Sequence, residues 1–340
     1  MASKFKKSRE SRIQMEEHGV INNLEEPWSL RIFKENFKIK IVKESDNQME
    51  LEFDLIGCQT SLANAIRRIL ISEVPSMAIE KVFIMNYNSI MQEEVLAHRL
   101  GLVPLRADPR LFDYPSNEGN KDDEVSEHDT LRYELKISCS HNKQASKESR
   151  RLEEMYINHK VYSNDIKWVP IGKQCEIYPG GEEQVGVIDK DILLNVLNPG
   201  HEMHIFMHAV KGIGRDHAKF SPVSTAFYRL LPRITLLKTV KDEKAEKLKK
   251  CFSPGVIELV KTEGGGKEAQ VINSRYDSCS RNVERHEDLK DCVSLEREPN
   301  HFIFTIESVG ALPSSVLFVE ATKILKGKCR SFIELLDSIS

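Results

Sequence analysis

Residues 53–105, FDLIGCQTSLANAIRRILISEVPSMAIEKVFIMNYNSIMQEEVLAHRLGLVPL, hold the patterns that decide the fold. Near the start of this stretch, apolar side chains recur at the spacing of one helix face: Leu62, Ala65, Ile66, Ile69 and Leu70. Thr60 or Ser61 is predicted to cap this helix, and Pro75 to end it. The stretch contains no obvious catalytic set, so it favours an element of assembly.

Alternating residues on both sides of this helix predict strands. Before it, apolar residues alternate with charged ones at 37–41 and 51–55, and the polar run ESDNQ at 44–48 predicts a hairpin turn. After it, residues 79–85 predict another strand, and residues 93–100 predict a short helix. Helices and strands therefore share one region of the chain, which is typical of the α+β class.

Residues 88–235 are predicted to be rich in strands. The alternation is clearest at 131–139, and further strand-like runs lie at 156–162, 168–171, 203–210 and 223–230. Polar loops separate them, an acidic one at 114–129 and a charged one that ends near residue 154.

The C-terminal part combines a charged stretch with a long apolar helix. Residues 238–250 mix both signs of charge and Gly264 to Gly266 predict a flexible joint, so we interpret this part as a linker. After a last strand at 302–306, Pro313 opens the helix. Its apolar stripe consists of Phe318, Leu325, Cys329, Phe332, Leu336 and Ile339, widened by Leu317, Ile324 and Leu335. A helix of this kind must pack on the earlier elements or on another chain.

The composition indicates a globular protein. Of 340 residues, 30% are charged and 40% hydrophobic, and the net charge of −3 lacks the basic excess of a general nucleic-acid binder. Seven cysteines without a CxxC pair, and no secretory signal, predict reduced thiols in an intracellular protein. Residues 1–30 are expected to form a disordered, solvated tail, with a nuclear-localisation signal as the alternative for its basic start.

Glycine-rich segments raise two phosphate-loop hypotheses, and the residues argue against both. In KGIGRDHAKFSPVS, residues 211–224, a dinucleotide loop needs a third glycine where His217 stands. GGGK at 264–267 lacks the serine or threonine that follows the lysine of a phosphate loop. Asp216, His217 and Ser221 are also too close in sequence for a triad, whose members converge from separate elements. A tight turn is the simpler reading of 211–224.

Histidines and acids elsewhere give only weak site hypotheses. His204 and His208 share a strand face, but His201 points the other way and no cluster completes a metal site. Cys139 and His141 are too sparse for structural zinc. The charged residues of the short helix at 93–100, which include Glu93, Glu94, His98 and Arg99, are interpreted as surface ion pairs.

Three long motifs carry a family resemblance. They are SLANAIRRILISEVPSMAIEKV (61–82), EEVLAHRLGLVPLRADPRLF (93–112) and VKGIGRDHAKFSPVSTAFYRLLP (210–232). From about Arg31 to its C-terminus, the chain resembles the α-type assembly subunits of multisubunit RNA polymerases. Within that family it is most similar to the larger α-like subunit shared by eukaryotic polymerases I and III.

The resemblance implies a discontinuous dimerisation domain at 31–87 and 236–340, with a sheet-rich insert domain at 88–235. Helices at 61–74 and 313–338 would pair with those of a smaller α-like partner in a heterodimer. The interface residues would be Leu62, Ala65, Ile66, Ile69, Leu70, Phe318, Leu325, Cys329, Phe332 and Leu336. Docking of the two large catalytic subunits would involve Arg67, Arg68, Lys211, Gly212, Gly214, His217 and Lys219.

The resemblance also guides the expectation about metals. The polymerase II relative carries a cysteine-rich zinc loop in its insert, and some archaeal relatives carry an iron–sulfur cluster. This chain has only Cys139 and Cys175 in that region. We therefore predict neither metal nor cofactor, which favours the polymerase I and III branch.

The expected function is that of a non-catalytic scaffold of nuclear polymerases I and III, which transcribe rRNA precursors and small RNAs such as 5S rRNA and tRNA. The expected location is the nucleus, including the nucleolus, without membrane attachment or direct sequence-specific DNA contact. The equivalent subunit of another nuclear polymerase is the alternative. Two further hypotheses are an enzyme that uses Asp216 and His217, and a free-standing nucleic-acid binder.

Overall fold

The computed structural model describes residues 13–16, 19–22, 29–115, 125–144, 151–261 and 265–339. Most of the predicted N-terminal tail, including its basic start, lies outside these residues. The same holds for parts of the two predicted polar loops, at 116–124 and 145–150, and for Gly264 of the predicted flexible joint.

The described chain alternates strands and helices. The strands are β1 (Ile13–Glu16), β2 (Gly19–Asn22), β3 (Lys38–Glu44), β4 (Glu50–Ile56), β5 (Pro75–Tyr87), β6 (Thr130–Ser138), β7 (Ser140–His141), β8 (Tyr156–Ile157), β9 (Lys160–Tyr162), β10 (Ile166–Val169), β11 (Leu193–Val196), β12 (Glu202–Ile213), β13 (Val223–Leu236), β14 (Ile257–Lys261), β15 (Lys267–Val271) and β16 (Val293–Ser308). The helices are α1 (Leu30–Asn36), α2 (Thr60–Ser72), α3 (Glu93–Gly101), α4 (Leu152–Met155), α5 (Gln174–Ile177), α6 (Glu182–Val185), α7 (Asp242–Cys251) and α8 (Ser314–Ile339). The α+β prediction is thus confirmed.

The first large sheet is antiparallel and has the order β13-β16-β4-β3. The two long helices, α2 and α8, pack against it and share one hydrophobic core with it. Phe53 is at the centre of this core, with its ring centroid 5.2 Å from that of Phe304 and 5.0 Å from that of Phe318 on α8. Because the first and last parts of the chain form this sheet together, the discontinuous order of elements is a property of the fold.

The second large sheet is antiparallel, with the order β10-β6-β12-β5. Its core lies on one face, where α3 places the fully buried Leu96 and Leu100. Strand β5 begins directly after α2, and strand β13 of the first sheet follows β12 after a short turn. Residues 75–87 belong to the second sheet because they pair with β12, and residues 223–236 belong to the first sheet because they pair with β16.

The charged stretch at 238–250 differs from the predicted linker. It contains most of α7, whose Ala245, Leu248 and Cys251 are buried in a third hydrophobic cluster with strands β14 and β15. Burial of one apolar residue per helical turn is sufficient to fix a helix that is charged on its other faces. Residues 240–293 are therefore a small packed unit attached to the far ends of β13 and β16.

Two local predictions also need correction. The predicted strand at 156–162 is divided into β8 and β9, since Asn158 has φ of 58° and interrupts the extended backbone. The cap residue of α2 is Gln59, without a side-chain hydrogen bond, instead of Thr60 or Ser61. Strand β3 is exposed on both faces because neither long helix covers this edge of the sheet.

No helix in the described ranges has the length and apolar character that crossing a membrane requires.

Candidate dimerisation and docking surfaces

The last helix, α8, consists of a packed half and an exposed half. Residues 314–325 lie against the first sheet, where Leu317 and Ala321 are buried. Every residue from Lys326 to Ile339 is exposed, over roughly 21 Å of helix. This second half, which we call the α8 overhang, presents a strongly apolar surface to solvent.

Large apolar side chains cluster on the α8 overhang. Phe332 is 63% exposed and Leu336 52%, and Ile333, Leu335 and Ile339 are also exposed. Isolated apolar side chains are normal at a protein surface, but a contiguous stripe of this size marks an interaction site. Of the predicted interface residues, Cys329, Phe332 and Leu336 lie on the overhang, and Ile333 was missing from the prediction.

The other predicted interface residues of α8 lie on its packed half. Phe318 and Leu325 are half-buried against the core of their own chain. Only their outer atoms remain for a partner.

Three of the predicted interface residues on helix α2 are buried within their own chain. Ile66 and Ile69 are 3% exposed and Leu70 is fully buried, because they form the face by which α2 packs on its own sheet. Helical spacing identifies an apolar face but does not reveal which surface covers it. Leu62 and Ala65 are half-buried and remain available in part.

The arginine pair of α2 points away from that core. Arg67 donates hydrogen bonds from Nε and one terminal nitrogen to Asn64 Oδ1, at 3.1 and 3.0 Å. Arg68 is exposed, and the structure gives it no ion pair within the described residues. A guanidinium in this state is suited to bind a carboxylate of another chain.

The lysines of the predicted docking turn bind within their own chain. Lys219 Nζ donates to the carbonyl oxygen of Ile79 at 2.9 Å and lies 2.5 Å from Glu80 Oε2. Lys211 Nζ donates to the carbonyl oxygen of Phe112 at 2.8 Å, and burial lowers its pKa despite nearby aspartates. Lys219 therefore fixes the turn between β12 and β13, which joins the two sheets, and Lys211 fixes the end of β12 beside this turn.

The two glycines of this turn allow close packing. A Cβ at Gly214 would lie 2.2 Å from the carbonyl oxygen of Ile71, and one at Gly212 would lie 2.7 Å from the ring of Phe220. The turn thereby contacts the end of α2, where the amide of Arg215 donates to the carbonyl oxygen of Ser72 at 2.8 Å.

His217 and its neighbours show no triad geometry. His217 Nδ1 accepts a hydrogen bond from the amide of Lys219 at 3.1 Å. The Ser221 hydroxyl donates to the carbonyl oxygen of Val223, at 3.0 Å. The serine and histidine are thus engaged with the backbone, which is how turn residues are commonly held.

One of the histidines on strand β12 contacts a carboxylate. His204 Nε2 lies 2.8 Å from Glu134 Oε1 on the neighbouring strand. His201 Nδ1 instead accepts from the amide of Asn198 at 3.2 Å. Within the ranges that the structure describes, no group of three or more metal-ligating side chains is found.

The cysteines differ strongly in accessibility. Cys58 is buried at the start of α2, and burial raises the pKa of its thiol to about 11. Cys175, Cys279 and Cys329 are exposed, and all seven are free thiols. Cys329 is thus a solvent-accessible thiol located on the α8 overhang.

A family comparison gives this arrangement a context. Residues 52–329 match the model of the RNA polymerase Rpb3/Rpb11 dimerisation domain, and this range contains most of β4, all of β13 and β16, and most of α8. The chain belongs to this family. The resemblance inferred from the three motifs is therefore confirmed.

Relatives within the family are similar over most of their length. The chain is 47% identical to the human DNA-directed RNA polymerases I and III subunit RPAC1, over 99% of both chains. It is 49% identical to the mouse protein of that name, over 94% of this chain and 90% of the relative. The Saccharomyces cerevisiae protein is 44% identical, over 91% and 90%.

Proposed function

We propose that the chain is the larger α-like subunit of nuclear RNA polymerases I and III and acts as a non-catalytic assembly scaffold. The α8 overhang is the observation that carries this proposal, because an apolar helix of this length requires a partner surface. The names of the similar proteins support the assignment to polymerases I and III.

The α8 overhang would bind a smaller α-like subunit, with Cys329, Phe332 and Leu336 central to the contact. Leu62 and Ala65 of α2, and the outer atoms of Phe318 and Leu325, would complete the interface. Burial of apolar area contributes about 25 cal/mol per Å², and obligate interfaces resemble a domain core divided between two chains. Ile66, Ile69 and Leu70 would act indirectly, by holding α2 in place.

The two large catalytic subunits would dock on the opposite side of α2. Arg68 would bind a carboxylate directly, since it is exposed at the surface. The turn with Lys211, Gly212, Gly214, His217 and Lys219 would contribute its shape and its backbone. The two domains would be divided near 74 and 222, where the sheets separate.

The wider role follows from this assignment. The subunit would act in the nucleus, including the nucleolus, in transcription of rRNA precursors, 5S rRNA and tRNA. Assembly would require no cofactor of its own.

Purification of intact complexes through a tag on this chain tests the proposal. Mass spectrometry is expected to identify the large subunits of polymerases I and III together with a small α-like subunit. Recovery of polymerase II large subunits instead would support the alternative of another nuclear polymerase. Recovery of the chain without polymerase subunits would contradict the proposal.

A further inference from the structure

Strand β3 forms one edge of the first sheet. It pairs with β4 on one side, and on its other side no strand is paired with it in the described part of the chain. Alternate residues of an antiparallel pair direct both of their backbone groups away from the partner strand. The outer edge of β3 therefore presents a row of backbone donors and acceptors, and such a row is a template for a further strand.

Two isoleucines of β3 are exposed on the face of the sheet against which α2 and α8 pack. Ile39 is directly opposite the buried Leu55 of β4, and the next pair on this face is Ile41 and the buried Phe53. Residues directly opposite on two antiparallel strands share one face of the sheet. The isoleucines are nevertheless 48% and 60% exposed, because the long helices do not cover this edge. A further strand beside β3 would cover them if it placed apolar side chains on the same face.

Lysines occupy the other face of β3. Lys38 and Lys40 alternate with the two isoleucines and are exposed. Lys40 is directly opposite Asp54, but this carboxylate is engaged by Arg275, whose Nη1 donates to Oδ1 at 2.7 Å. Neither lysine has an ion pair within the ranges that the structure describes. Opposite charges on neighbouring strands stabilise their pairing, so acids on a further strand would complement this face.

The same pattern decides which kind of strand fits. If β3 paired with β3 of a second copy and the isoleucines shared one face, lysines would lie opposite lysines on the other face, which is destabilising. A nucleic acid would complement the lysines but would leave the isoleucines and the backbone edge without partners. An extended peptide that adds to a sheet edge gains main-chain hydrogen bonds, and its alternate side chains give specificity. The edge therefore suits a segment in which acidic and apolar residues alternate.

We propose that the outer edge of β3 binds an extended acidic segment of another protein by strand addition. Acids of this segment would pair with Lys38 and Lys40, and the apolar residues between them would cover Ile39 and Ile41. The register of β3 on β4 shifts between Ile41 and Lys43, and this bulge would end the regular pairing. The edge belongs to a different element from the α8 overhang and the arginine pair of α2, so the proposal goes beyond the proposed function.

Hydrogen exchange of backbone amides tests strand addition directly. Complexes purified through a tag on the full chain are compared with the isolated full chain, and mass spectrometry follows the peptides that cover residues 38–44. The outward amides gain hydrogen bonds when a strand adds to the edge. Their exchange is therefore expected to be at least about tenfold slower in the complex. Equal exchange in the two samples would overturn the proposal.

Carbodiimide crosslinking of the same complexes identifies the segment. This reagent joins lysine amines to carboxylates, so Lys38 or Lys40 is expected to be joined to an Asp or Glu of another protein. The linked segment should have acids that alternate with apolar residues. The absence of a link to another protein would overturn the proposal, and so would links to a second copy of this chain or crosslinking of β3 to nucleic acid by ultraviolet light.

Synthetic peptides of the crosslinked segment distinguish strand addition from simple charge attraction. The unmodified peptide is expected to bind the full chain. Methylation of every second backbone nitrogen can be placed in two frames, and only one frame puts the methyl groups against β3. That peptide should lose at least about tenfold in affinity, whereas the other should bind nearly as well as the unmodified one. Equal affinity of the two methylated peptides, or no binding of the unmodified peptide, would overturn the proposal.

Charge reversal tests the lysines. Lys38→Glu plus Lys40→Glu should weaken binding of the unmodified peptide at least about tenfold. Lys244→Glu, which changes an exposed lysine on α7, is the matched control and should leave the affinity unchanged. The milder pair Lys38→Gln plus Lys40→Gln should weaken binding less, and a thermal melt checks that each variant is folded. Equal affinity of the double glutamate variant and the control would overturn the proposal.

Discussion

Lys328 and Glu73 join the two long helices where the α8 overhang begins: the lysine Nζ lies 2.6 and 2.9 Å from the two carboxylate oxygens. Both side chains are partly exposed, so the pair contributes at most about 1 kcal/mol to stability. Its geometric role is larger, because it ties the first turn of the overhang to the end of α2. The base of the overhang is therefore in contact with α2 within this chain.

A charge introduced on the apolar side of the α8 overhang should prevent dimerisation. Phe332→Asp should abolish binding of the small α-like subunit, since it places a charge in the centre of an apolar interface. Arg330→Asp introduces the same side chain roughly 160° around the helix and should leave binding intact. Co-expression followed by affinity purification of the tagged chain measures both. Full recovery of the small subunit by the Phe332 variant would contradict the interface assignment.

Substitution of Ile69 should lower the stability of the chain, because this residue is not expected to contact a partner directly. Ile69→Ala removes a side chain that is 3% exposed and is expected to lower the free energy of unfolding by about 2–5 kcal/mol. Phe332→Ala, on the exposed overhang, should change the stability of the isolated chain by about 0.5 kcal/mol or less. Urea denaturation distinguishes the two. A small effect at Ile69 would indicate that the α2 face is not part of the chain's own core.

Several features were accessible from the sequence because they depend on local pattern. The alternation at 131–139 reports a strand with one buried face, and the structure places Leu131, Tyr133 and Leu135 in the core. The stripe of α8 and the spacing of α2 likewise identify apolar faces.

Other features depend on contacts between distant residues. Ile69 is covered by the first sheet of its own chain, whereas Phe332 is not. This difference depends on the position of β16, which lies more than 200 residues after α2 in the sequence. The same limit applies to Lys219, whose partner Ile79 is distant in sequence.

Cysteine labelling should report the dimer interface without a mutation. In the isolated chain, Cys175, Cys279 and Cys329 are expected to react with iodoacetamide, whereas the buried Cys58, with its pKa of about 11, should not. Binding of the small α-like subunit should protect Cys329 and leave Cys175 and Cys279 reactive. Mass spectrometry of tryptic peptides gives the extent of labelling at each position. Unchanged labelling of Cys329 in the complex would place the interface elsewhere.

Lys219 should be required for the junction between the sheets. Lys219→Met removes the hydrogen bond to the carbonyl oxygen of Ile79 and is expected to cost about 1–3 kcal/mol of stability. Lys244→Met replaces an exposed lysine and should cost little. Chemical denaturation measures both. Equal stability of the two variants would show that the Lys219 contact contributes nothing to the junction.

His208 should make stability depend on pH in a defined window. Burial, with repulsion from Arg132 and Lys81, lowers its pKa below the ordinary 6.5, so the unfolded chain takes up a proton at a higher pH than the folded chain. The unfolded state then binds more protons as the pH falls below about 6.5, and the free energy of unfolding decreases.

His208→Gln should remove this part of the pH dependence, and Arg132→Gln should reduce it by removing one repulsive charge. Asp108 does not interfere: burial raises its pKa, but hydrogen bonds from Arg110 outweigh this and hold the pKa below the ordinary 3.8. Its contribution to stability is therefore lost only in more acidic solution. Urea denaturation of the three proteins between about pH 7 and 5 measures the slopes. An identical slope for the wild type and His208→Gln would show that His208 titrates alike in the folded and unfolded chain.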